Sequence, residues 1–91
     1  MEVVQTRLKY RFETMELDDR AVAVPVGNSA REFRGVIKLN ESAAEIFDLL
    51  REETTEEEIV ASLVQRYGED EEISGFVHQV ITYLKNEGAL D

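Results

Sequence analysis

Ninety-one residues allow one modest core and are too few for two domains. The composition, 43% hydrophobic and 33% charged, fits a folded chain with a heavily solvated surface, and no apolar run reaches the length of a membrane span. The lack of cysteine excludes disulfides, thiolate zinc sites and cysteine-ligated iron–sulfur clusters, and a formal net charge of −10 opposes binding to nucleic acid.

The charge is uneven. Residues 1–40 carry seven Lys/Arg and six Asp/Glu, whereas residues 41–91 carry three and fourteen. The simplest use of the acidic half is a solvated face. Met1-Glu2-Val3-Val4-Gln5-Thr6-Arg7 lacks the basic start and apolar stretch of a secretory signal, so a soluble cytoplasmic protein is the expectation.

Residues 1–7 read as a loosely held tail, with Val3-Val4 placed to extend the first strand. From Leu8 the pattern alternates: Leu8, Tyr10 and Phe12 share one face, and Lys9, Arg11 and Glu13 the other, which predicts a half-buried strand to about Glu16. Leu17-Asp18-Asp19-Arg20 supplies the turn. Ala21 to Val26 forms a second strand with Val22, Val24 and Val26 on one face; Pro25, lacking an N–H, opens its ladder near the end. Gly27 to Glu32 reads as a loop, long for a hairpin. Phe33 to Leu39 is the third strand, with Phe33, Ile37 and Leu39 on one face and Arg34, Val36 and Lys38 on the other. Three strands with short links make an antiparallel meander whose first and third strands are edges.

At Asn40 the period becomes helical. Asn40 is placed as an N-cap, and Ala43, Ile46, Phe47 and Leu50 follow at spacings of three and four. Thr55 opens a second helix, with Glu58 completing a capping box; Ile59, Val60, Leu63 and Val64 form its stripe and Gly68 its C-cap. The third helix runs from about Asp70 to Asn86. Its stripe is Ile73, Val77, Val80 and Leu84, flanked by Phe76 and Tyr83 on one side and Ile81 on the other. That face is wider than one contact needs, so Phe76 and Tyr83 serve either as plain core or as the lining of an apolar groove beside the sheet. Gly88 caps the end and Leu90 folds back onto the core. The fold class is therefore α+β over residues 1–91: a three-stranded antiparallel sheet followed by three helices, resembling a winged helix-turn-helix.

No residue set supports catalysis. His78 is the only histidine, faces away from the stripe, and has no second histidine or cysteine with which to build a metal site. Glu69 to Glu72 lack the spaced ligands and glycine of a calcium loop. The serines have no histidine to activate them, no glycine-rich phosphate loop is present, and the paired carboxylates sit at helix ends rather than in an apolar pocket. The third helix, which would be the recognition helix of a DNA-binding protein, offers no Arg or Lys before Lys85.

The run Val36-Ile37-Lys38-Leu39-Asn40-Glu41-Ser42-Ala43-Ala44-Glu45-Ile46-Phe47-Asp48-Leu49-Leu50 resembles the LN-[ET]-[ST]-[GA]-A segment of the PqqD family. Thr54 to Val60, Tyr67-Gly68 and Lys85 to Leu90 match that family in order, so the resemblance spans residues 8–91. It implies a small non-enzymatic peptide-recognition element, without cofactor. Such a protein binds the leader of a ribosomally made precursor peptide and delivers it to a modifying enzyme of the radical S-adenosylmethionine type. It also implies that the leader adds as a strand to the third strand's edge and packs against the third helix. Two departures, Ala43 for a common glycine and Glu52-Glu53 for Asp-Gly, point to a PqqD-like relative rather than the quinone-cofactor protein itself. The residues agree with this mode: an edge strand offers unpaired N–H and C=O groups to an extended peptide. Arg34, Val36, Ile37 and Lys38 then form the strand side of the site, and Phe76, Val80 and Tyr83 the helix side. Arg34 and Lys38 serve either to attract an acidic peptide or to deter self-association at the edge. The alternative function is a winged-helix regulator acting through protein contacts or DNA.

Overall fold

The computed structural model describes residues 5–91; Val3 and Val4 lie outside the described residues. In chain order the elements are β1 (Gln5–Thr6), β2 (Phe12–Leu17), β3 (Arg20–Pro25), α1 (Ser29–Glu32), β4 (Ile37–Asn40), α2 (Glu41–Leu49), β5 (Thr54–Thr55), α3 (Glu56–Tyr67) and α4 (Glu71–Asn86).

The sheet is antiparallel with order β2-β3-β4. Its first hairpin closes at Leu17↔Arg20, where Asp18 takes φ +55°, a left-handed conformation that aspartate tolerates. In the β3–β4 pair, Ala21 lies opposite Leu39 and Ala23 opposite Ile37. These four side chains are buried and face α2 and α4, forming one core with Phe12, Ile46, Phe47, Leu50, Val77, Val80 and Leu84. The inward face of β3 is thus alanine, and Val22 and Val24 point outward and half-buried. Small inward side chains let α2 approach the sheet closely enough for Phe47 to pack edge-on against Phe12, with centroids 5.4 Å apart.

Several sequence expectations need correction. Residues 5–7 are not loose: β1 pairs with β5, Gln5 opposite Thr55 and Thr6 opposite Thr54, and Arg7 accepts the Asp91 N–H at 2.9 Å. The first sheet strand starts at Phe12, not Leu8, because the Leu8 and Lys9 amides bond the carbonyls of Leu50 and Ala89 instead. The predicted loop contains α1, whose Ser29 hydroxyl accepts the Arg11 N–H at 2.8 Å. The third strand starts at Ile37 rather than Phe33, since Gly35 takes φ +96°, outside the extended region.

The helix boundaries follow their local signals. Asn40 Oδ1 accepts the Ala43 N–H at 2.8 Å and Thr55 Oγ1 accepts the Glu58 N–H at 3.1 Å. The capping box is half-made: the Glu58 carboxylate takes the Thr54 hydroxyl at 3.0 Å. Asp70 caps α4 through Glu72. At its far end, Ala89 N–H bonds the Leu84 carbonyl and Gly88 N–H that of Lys85, with Gly88 at φ +77°, the geometry of a Schellman motif.

Candidate functional site

Two sheet edges face solvent or side chains, and they differ. On β2, the Arg51 guanidinium donates to the Phe12 carbonyl at 2.7 Å, a short charge-assisted bond. On β4, the Tyr83 hydroxyl donates to the Lys38 carbonyl at 3.4 Å, well beyond the usual O–H···O distance of about 2.7–2.8 Å. Because backbone groups of alternate residues point to opposite edges, this carbonyl marks Lys38 as presenting its N–H and C=O away from β3.

Beside that edge runs a shallow cleft of about 210 Å³, lined by Lys38, Leu39, Asn40, Ala43, Phe76, Gln79, Val80 and Tyr83. It exists because α2 leaves the end of β4 directly, and α4 packs across both on its Val77–Val80–Leu84 side. Four of the seven residues expected from the sequence therefore meet here: Lys38, Phe76, Val80 and Tyr83. Phe76 is half-buried and Tyr83 is 38% exposed, so neither is plain core.

The other three fall differently. Ile37 is fully buried in the core, which leaves only its backbone at the strand. Val36, 48% exposed, precedes β4. Arg34 lies before Gly35 and outside the strand, so it does not share a strand face with Lys38.

A second cavity of about 240 Å³ lies between α2, α3 and the start of α4, lined by Ser42, Glu45, Leu63, Tyr67, Asp70, Ile73 and Phe76. The sequence pattern did not mark it; the structural signal is Tyr67, 62% exposed at a helix terminus. The Tyr67 hydroxyl donates to Glu45 Oε1, and Arg66 lies 3.5 Å from Glu45 Oε2. The bond to Glu45 raises the Tyr67 phenol above its ordinary pKa, reinforced by desolvation and by the carboxylate's charge.

His78 is exposed and sits 3.0 Å from Glu56 Oε1, and it lines neither cavity. Among the described residues no three His, Cys, Asp or Glu side chains gather to hold a metal ion, and no helix is long and apolar enough to cross a membrane. The family model described as Coenzyme PQQ synthesis protein D (PqqD) matches residues 17–90. No curated protein and no solved structure matches the chain.

Proposed function

The chain belongs to the PqqD family, and from that premise we propose that it is a non-enzymatic adaptor. It takes the leader of a ribosomally made precursor peptide as an added strand on β4 and presents it to a modifying enzyme of the radical S-adenosylmethionine type. The observation that carries this reading is the cleft joining the free edge of β4 to α4, with an apolar wall of Phe76, Val80 and Tyr83. An extended peptide pairs its backbone with the edge and sets alternate side chains into the wall. The contrast between edges supports β4 over β2: the bond guarding β4 is long and neutral, whereas that guarding β2 is short and charge-assisted.

The regulator reading finds less support. The first turns of α4 are acidic, and its basic residue, Lys85, is in the last turn, the wrong end for reading bases.

The test is a titration of the isotopically labelled chain with the synthetic leader of its cognate precursor peptide. Amides of Ile37–Asn40 and of α4 are expected to shift. Shifts confined to residues 5–17 would contradict the site.

A further inference from the structure

The cavity between α2, α3 and α4 adjoins the strand-edge cleft. Phe76 lines both, and consecutive residues of α2 divide between them, Ala43 in the cleft and Ser42 in the cavity. The two therefore lie side by side across Phe76. The cavity's volume of about 240 Å³ is below the range of about 300–1,000 Å³ typical of small-molecule sites, but it suits one large side chain.

The wall chemistry narrows the choice. Leu63, Ile73, Phe76 and the ring of Tyr67 make an apolar floor, and the polar lining consists of Ser42 and the carboxylates of Glu45 and Asp70. Tyr67 and Arg66 already engage Glu45, and Asp70 is engaged through Oδ1 by the Glu72 N–H. Glu41, Glu69, Glu71 and Glu72 adjoin the lining in sequence, and no Lys or Arg lines the cavity. The surrounding field is negative and favours a cation beside the apolar group.

Direction follows from the ladder. Antiparallel pairing is the more stable per residue and the more common. A guest running antiparallel to β4 has its N-terminal end beside Asn40, where α2 begins and the cavity opens.

We propose that this cavity is an anchor pocket for one large apolar side chain of the guest peptide, placed N-terminal to its paired segment and flanked by lysine or arginine. The assignment rests on the reading of β4 as the docking edge. It gives the guest a polarity: a basic and apolar anchor first, then an extended segment along Ile37–Asn40.

The probe is a library of random dodecapeptides displayed on phage and selected on the full chain. Selected peptides carry a large apolar residue next to Lys or Arg, upstream of a β-branched stretch. Replacing that apolar residue with alanine, or plugging the cavity with Ser42→Trp, weakens binding about tenfold or more. Glu45→Gln weakens it about two- to fivefold for peptides with the basic flank and leaves peptides with a neutral flank unchanged. Circular dichroism confirms that both variants fold. Selected peptides that shift the Ile37–Asn40 amides, yet lack the anchor or bind the Ser42→Trp chain as tightly, overturn the pocket and leave the edge standing. Peptides that leave those amides unmoved overturn the edge reading, and the pocket assignment falls with it.

Discussion

Tyr83 and Tyr67 show how a single hydroxyl shapes each cavity. The Tyr83 hydroxyl holds the Lys38 carbonyl, the group that the amide of an added strand would need. A neutral hydrogen bond contributes about 0.5–1.5 kcal/mol net, and one this long belongs at the low end. Tyr83→Phe keeps the apolar wall and removes the competitor, so peptide affinity should rise about twofold by calorimetric titration; a fall would mean that the hydroxyl contacts the guest. For Tyr67, the neutral phenol donates to the Glu45 carboxylate, and ionisation would set two negative charges together. Its raised pKa means that this contact's stabilisation is fully present below pH 10 and is lost as pH rises through the raised value. A carbon-13 titration of the Tyr67 ring should therefore show ionisation above the ordinary range, shifting down in Glu45→Gln. An unchanged midpoint in that variant would rule out Glu45 as the cause.

The elements divide by how local their causes are. The ends of the two longest helices are readable in the sequence because caps act within a few residues: Thr55, Gly68, Asp70 and Gly88 each end or begin a helix where their chemistry places them. The short strands are not. β1 and β5 are two residues each, and the pairing of Gln5 with Thr55 depends on where the whole chain brings them. Alternation in β3 separated valines from alanines, but only the approach of α2 decides that alanines face the core. The same limit affected the site: alternation carried the third strand back to Phe33, and a positive φ at Gly35 removed Arg34 from it. Phe12 tests the packing. It is buried against Phe33 and Phe47 in edge-on contacts at 5.2 and 5.4 Å. Phe12→Ala should cost about 3–5 kcal/mol in chemical denaturation, and a loss under 1 kcal/mol would show that β2 is not anchored through this cluster.

At the scale of the molecule, the sheet and the helical layer form a slab with extents of 39 × 36 × 19 Å, and the charge is split along the chain. The excess of acid after residue 40 leaves Lys38 and, ahead of the strand, Arg34 as cations in a negative field. Both are exposed. Reversing them, Arg34→Glu with Lys38→Glu, should weaken an acidic peptide more at low salt than at high salt, because exposed charges are screened over about 10 Å at 0.1 M ionic strength. Equal weakening at both would assign the loss to packing rather than charge. Exposed charge of either sign at a strand edge deters pairing with a second copy, so sedimentation of the reversed variant should still show the oligomeric state of the parent.

A scalar coupling transmitted through a hydrogen bond reads strand addition to β4 directly. With the Lys38 carbonyl labelled with carbon-13 and the bound leader peptide with nitrogen-15, a measurable coupling is expected between that carbonyl and one peptide amide. A saturated complex without that coupling, in which Tyr83 still holds the Lys38 carbonyl, would contradict it.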